Sequence, residues 1–319
     1  MSLLHLRASA PTPVVPRRTR RIAPIFRTLV IAGVLGVALT TTDVPRTGLV
    51  APQLPAPDPA IDTSHLIFGD SFNGSSLRSS TWNRYITSAA ARGVPWNSNG
   101  EGGSSEANPT ENENANYDLP SQVSVNNGLV ITAVKRPTVG NLGSATKTYG
   151  WASGAVSTYG KLQFNGGYLR IVAKVPAGDG IWPAFWLLPG NGSPASDDYE
   201  IDIFEGGFLS KGNPEDSFAW HLHSPDNFIG GVEDLGADLT AGYHVFGLSW
   251  TPGQQITWYL DGQQVARVTS AQASIPSEPM ELIISLGIAN RATSGWHTVA
   301  DASTPQRAQL IVRSVQLYR

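Results

Sequence analysis

The sequence predicts an all-β fold, an antiparallel β-sandwich assembled from many short strands. From Leu66 onward, short alternating apolar and polar runs are punctuated by turn residues, and no convincing amphipathic helix interrupts them. Charged residues make up only 15% of the 319 residues, against Gly 33, Pro 23 and Trp 9, a balance that suits a turn-rich β protein. Strands at this spacing, without helices between them, argue against βαβ units and for a sandwich. A hydrophobic content of 41% is enough for a sizeable core.

Residues 1–42 read as an export segment. Arg17, Arg18, Arg20, Arg21 and Arg27 precede an apolar run from Thr28 to Leu39, short for a membrane span and suited to a signal peptide's hydrophobic region. Cleavage after Ala38 and retention as a signal-anchor both stay open, because no clean A-x-A site is present. A secreted or cell-surface-anchored protein is expected. Residues 43–62, with Pro45, Pro52, Pro55, Pro57 and Pro59, form an extended linker. The folded domain then occupies residues 63–319. Beyond residue 62 the chain holds 15 basic and 22 acidic groups, a balance that argues against nucleic acid and for a neutral substrate. The absence of cysteine excludes thiol catalysis, disulfides and cysteine-ligated metals.

Within the domain, Asn126-Asn127-Gly128 predicts a hairpin between Val123–Val125 and Leu129–Val134. Asn165-Gly166-Gly167 predicts another between Lys161–Phe164 and Tyr168–Val175. Asp261-Gly262 predicts a third between Ile256–Leu260 and Gln263–Val268. Trp96–Asn116 reads as a long surface loop whose Trp96, Glu106, Glu111 and Glu113 are either solvated or rim a cleft.

The segment Glu200-Ile201-Asp202-Ile203-Phe204-Glu205 carries the chemistry. On a strand, Glu200 and Asp202 point the same way, while Glu205 should point into the core. A β-bulge at Ile203 or Phe204 would turn Glu205 back to join them. The bland alternative is a solvated strand face that includes Asp198. Crowding of like charges with no nearby lysine or arginine argues for carboxyl pKa values that have been shifted for a purpose.

Upstream lies Gly178-Asp179-Gly180-Ile181-Trp182-Pro183-Ala184-Phe185-Trp186-Leu187-Leu188-Pro189. With the acidic strand it resembles glycoside hydrolase family 16, the laminarinase and β-glucanase family. Phe68–Gly74, Trp151–Gly154, Ile256–Gly262 and the closing Leu310–Tyr318 match in the same order, so the resemblance covers roughly residues 66–319. It implies a jelly-roll of the concanavalin A-like lectin/glucanase type, with a cleft across one concave face. It implies a retaining endo-glycosidase acting on a β-linked polysaccharide, with β-1,3-glucan first and a galactan next. It further implies Glu200 as nucleophile, Glu205 as acid/base and Asp202 as the group that tunes both. The bulged spacing matches the laminarinase-like members.

Trp182 and Trp186 share a strand face and read either as core or as sugar-stacking platforms. Trp296 matches a last-loop tryptophan with a packing or subsite role. His221 and His223 also share a face, and the family carries a histidine on the strand after the acids, for which His223 is the closer match. A His-x-His pair can hold a metal with a third ligand, but none is obvious in the sequence, so metal is not expected. Structural calcium, which many family members bind, is not expected either, because Arg313 stands where a carboxylate would be needed to join Asp70. No cofactor is implied, and the partner is a polysaccharide bound by a monomer. The rival readings are a transglycosylase with the same machinery, a non-catalytic β-glycan-binding module and a structural sandwich protein.

Overall fold

The computed structural model describes residues 61–95, 113–142, 145–194 and 199–319. The leader, nearly all of the linker, Trp96, Glu106, Glu111 and Asp198 lie outside these residues. In chain order the strands are β1 (Leu66–Asp70), β2 (Asn116–Asp118), β3 (Val123–Val125), β4 (Leu129–Leu142), β5 (Ala145–Ser153) and β6 (Ala155–Ser157). They continue with β7 (Gly167–Lys174), β8 (Ile181–Pro189), β9 (Glu200–Glu205), β10 (Ser217–Ser224) and β11 (Asn227–Asp234). The last five are β12 (His244–Thr251), β13 (Gln255–Leu260), β14 (Gln263–Thr269), β15 (Met280–Ile288) and β16 (Arg307–Tyr318). Helix among the described residues is limited to three single 3-10 turns.

Two sheets result. The larger runs β14-β13-β12-β7-β16-β4-β5-β2, with β1 added on β16 and β3 on β4. The smaller runs β11-β10-β9-β8-β15-β6. Pairing between the strands is antiparallel except where β2 lies parallel to β5. The predicted hairpins β3–β4 and β13–β14 form as expected. In the second, Asp261 and Gly262 take positive φ values of 50° and 80°, which the two central residues of a tight hairpin turn require. The predicted hairpin before β7 does not form. Phe164 bridges Met280 instead, and β7 finds its neighbours in β12 and β16. The glycines there signal a chain reversal, but the reversal carries the strand into the other sheet.

The core lies between the sheets and follows the pleat. On β15, Met280, Leu282, Ile284, Leu286 and Ile288 face it, leaving Glu281, Ile283 and Ser285 on the opposite face. Phe185 and Phe204 of the smaller sheet pack 5.0 and 4.5 Å from Phe246 of the larger one, measured between ring centroids. Hydrogen bonds also cross the sandwich. The Asn116 side chain on β2 accepts from the Ile288 backbone N–H of β15 at 2.7 Å. Trp258 of β13, fully buried, donates from Nε1 to the Asp202 carbonyl of β9 at 2.8 Å.

Asp70 is buried, and its carboxylate accepts from Phe72 N–H and Trp82 Nε1, each at 3.0 Å. The arginine that pairs with it is Arg78, at 3.4 Å, whereas Arg313 lies 4.7 Å over the Tyr243 ring. Asp70 therefore has Arg78 as its cationic partner, and Arg313 lies against Tyr243 instead of beside it.

Glu281 is fully buried, close enough to Tyr85 for the two groups to interact. Burial pushes its carboxyl up to about 9, and Ser157 and the Tyr159 backbone offset this only in part, neither with normal hydrogen-bond geometry. Above its ordinary value of 4.5 the unfolded chain releases this proton while the folded chain keeps it. Stability from this group therefore falls as pH rises from there towards about 9.

Two predictions follow from this packing. Trp258→Phe strands a buried carbonyl and should cost about 1–3 kcal/mol in urea unfolding; a variant as stable as the parent would mean that carbonyl is satisfied elsewhere. Glu281→Gln should raise the melting temperature by a margin that widens between about pH 5 and pH 8. Parallel pH curves for the two proteins would show that Glu281 is already ionised inside the fold.

Candidate active site

The acidic strand carries the expected bulge. On β8, Phe185 faces Phe204 and the next residue, Trp186, faces Asp202, so Ile203 is the extra residue. On β10 the register shifts at the same place, with Ala219 opposite Glu205 and His221 opposite Asp202. Ile203 and Phe204 consequently both point into the core. Glu205 returns to the face that carries Glu200 and Asp202. Trp258 anchors the carbonyl beside this interruption from the far sheet.

These three acids lie on the floor of a cleft of about 1300 Å³ that also contains Trp182, Trp186, His221, His223 and Trp296. Every site residue expected from the sequence is thus brought to one place. Glu113, the one rim candidate among the described residues, lines it as well, beside Asn114. The pair of tryptophans on β8 divides in role. Trp186 is buried against Ile86 and Ile283, with its Nε1 3.2 Å from the Ser285 hydroxyl. Trp182 is half-buried, donates from Nε1 to Glu205 Oε1 at 2.9 Å, and stands edge-on to Trp296 at 5.3 Å.

β10 supplies the positive charge. His221 Nδ1 lies 2.7 Å from Glu205 Oε2 and 3.6 Å from Asp202 Oδ2, and His223 Nε2 lies 3.5 Å from Asp202 Oδ2. His221 is therefore the histidine that partners Glu205, while His223 reaches Asp202. Burial works to depress the His221 imidazolium, but its hydrogen bonds and charge interactions with Asp202 and Glu205 outweigh this and push it up to about 10.

The carboxyls separate accordingly. Burial, then repulsion from Asp202 and Glu205, raises Glu200 well above the usual range, reinforced by its hydrogen bond with Asp202. Burial and the Asp202 charge raise Glu205, although His221 and Trp182 pull the other way. Burial would raise Asp202 too, yet the hydrogen bonds and charges of both histidines hold it below the ordinary carboxylate range. The strand therefore carries one carboxylate held ionised between two that keep their protons more tightly than an ordinary carboxyl does.

Asp202 also completes two potential ligand sets, Glu200–Asp202–His223 and Asp202–Glu205–His221, each with its donor atoms within 4.8 Å of one another. Each set combines one histidine of β10 with two carboxylates of β9, so the two histidines do not share a site as a His-x-His pair. A metal in either set would occupy the same oxygens that hold the protons.

Sequence reasoning missed Phe208, Phe228 and Gly230, which also line the cleft. Gly230 lies opposite His221 on β11, and a Cβ there would overlap the imidazole ring. The Gly-Gly pair at 230–231, within a strand otherwise able to carry side chains, was the legible signal of such a close approach.

Residues 110–304 match the model of the glycosyl hydrolases family 16. The chain belongs to that family. Family 16 relatives include an endo-1,3-1,4-beta-glycanase of Rhizobium meliloti, 30% identical over 246 residues, which cover 74% of this chain and 49% of the relative. A glucan endo-1,3-beta-glucosidase A1 of Niallia circulans is 28% identical over 258 residues, 75% of this chain and 36% of its own length. The chain thus spans half or less of the length of these curated relatives. The structure of an endo-beta-1,3-glucanase from Pyrococcus furiosus superposes with a TM-score of 0.64 and 26% identity, covering 79% of this chain and 93% of that one. The laminarinase catalytic domain of Thermotoga maritima, at 24% identity and a TM-score of 0.63, shares the jelly-roll fold over 80% of this chain and 97% of its own.

The charge pattern can be checked without a substrate. The imidazole resonances of His221 should stay in the protonated form up to about pH 10. In Glu205→Gln, which removes one of the two anions holding that proton, the midpoint should fall. An unmoved midpoint would show that Glu205 does not carry its charge towards His221.

Proposed function

We propose that this chain is a retaining endo-glycosidase that hydrolyses a neutral β-linked polysaccharide, with β-1,3-glucan as its substrate. The observation that carries this reading is the bulged strand, which sets three carboxyls of different proton affinity on one cleft floor. A solvated strand face would not bury Asp202 and Glu205, and a glycan-binding module would have no use for their opposed pKa shifts.

In this reading Glu200 attacks the anomeric carbon and forms a glycosyl ester while the bond to the leaving oxygen breaks. Glu205 gives its proton to that oxygen, and the departing chain leaves as an alcohol. Glu200 attacks in its ionised form, and the Asp202 charge beside it makes that carboxylate the stronger nucleophile. Glu205, now a carboxylate steadied by Trp182 and His221, then takes a proton from water. The resulting hydroxide equivalent attacks the same carbon, the ester breaks, and Glu200 and Glu205 regain their starting forms.

Two observations support a neutral polymer. Among the described residues no lysine or arginine lines the cleft. A cleft of about 1300 Å³ exceeds the ~300–1,000 Å³ typical of small-molecule sites. The names of the relatives favour β-1,3 linkages, alone or mixed with β-1,4. The arginine-led apolar segment supports export, and we take the enzyme to act outside the cell, free or membrane-anchored. We further propose that it acts as a monomer without a cofactor.

Glu200→Gln and Glu205→Gln should each lower kcat on laminarin by at least about 10²–10⁴-fold while leaving the unfolding curve intact. The unaltered chain should release reducing ends from laminarin faster than from agarose or arabinogalactan. Near-normal turnover by either variant would overturn the assignment of roles, and preference for a galactan would overturn the choice of sugar.

A further inference from the structure

We propose that Phe228, on the edge strand β11, is a sugar-stacking platform that forms a remote subsite of the cleft. This rests on the glycosidase reading above. In the β10–β11 ladder Phe228 lies opposite His223 and Gly230 opposite His221, and directly opposed residues point to the same face. Phe228 therefore faces the cleft with the two histidines, and it lines that cleft.

Its setting differs from that of a packing residue. Phe228 is 59% exposed, the only aromatic among the exposed large hydrophobic side chains of the described residues, and it belongs to no core cluster. One side of the ring is occupied: it stacks on His221 at 5.5 Å and 19°, and tilts against His223 at 4.7 Å. The ring is thus held in place from behind while most of its surface remains open. A rigid aromatic face on a strand suits the apolar C–H face of a pyranose, which hides apolar surface without asking for charge.

Its position sets its range. β11 is two strands from β9, about 10 Å at the usual spacing, on the side opposite Trp182 and Trp186 of β8. A glycan crossing the strands would reach Phe228 on the order of two sugar units from the cleaved bond, so only a substrate extending that far would use it. The competing role is that of a buttress for His221. That role would act on every substrate through Glu205, whatever its length.

The test compares the full chain with Phe228→Ala and Phe228→Trp on β-1,3-linked trisaccharide, hexasaccharide and polymer, reading kcat and KM separately across pH. The expected result is a loss in kcat/KM for Phe228→Ala about 2- to 10-fold larger on the hexasaccharide and polymer than on the trisaccharide. It should be carried mainly by KM, with the pH profile in place and with recovery in Phe228→Trp. An equal loss at all lengths with a displaced pH profile, or no loss at any length, would overturn the platform. If the unaltered chain cleaves none of the three while cleaving another β-glycan, the choice of linkage fails and the comparison moves to that glycan. If it cleaves no β-glycan, the glycosidase reading and the platform fall together.

Discussion

The hydrogen bond from Trp258 to the Asp202 carbonyl joins the chemistry of one sheet to the packing of the other. A bulge interrupts the regular ladder and exposes backbone to an apolar interior, where an unmet carbonyl is expensive. The indole meets that need from across the sandwich, and its ring packs against Trp220 at 4.9 Å. With the carbonyl fixed, Ile203 and Phe204 can both enter the core. Glu205 then has one direction left, into the cleft.

Once three carboxyls share a floor, their protons must be distributed, and β10 does this. His221 and His223 keep Asp202 as the anion, and that anion in turn makes ionisation of its neighbours harder. The asymmetry follows the histidines, which hold Asp202 ionised, while burial raises Glu200 and Glu205. Gly230 belongs to the same arrangement, because His221 can lean towards Glu205 only over a bare backbone. Burial then amplifies each of these interactions by removing the water that would screen them.

Much of this was legible in the sequence for identifiable reasons. The even spacing of Glu200 and Asp202 and the odd spacing to Glu205 demanded a bulge, because the strand period is fixed at two and a buried unpaired glutamate is costly. Hairpins β3–β4 and β13–β14 were readable because Asn-Gly and Asp-Gly carry their own backbone preference. The segment before β7 was misread because local glycines report a turn but not which sheet the chain enters afterwards. The division of labour between Trp182 and Trp186 was equally hidden. Both sit on one strand face, and only Ser285 and Glu205, from other strands, decide which indole serves the fold and which the acid. Phe228 escaped notice because an aromatic residue on an alternating strand looks like core until its strand proves to be an edge.

Asn116, buried on β2 and accepting from Ile288 across the two sheets, gives the molecule a seam. Glu113 and Asn114 enter the cleft wall just before it, and the acidic floor belongs to strands on the other side of it. Changes in the wall upstream of that seam need not be transmitted to β9, whose register is set independently by the bulge. The wall at Glu113 and Asn114 and the acids of β9 are thus held by different parts of the chain, which lets the shape of the cleft and its chemistry be set separately.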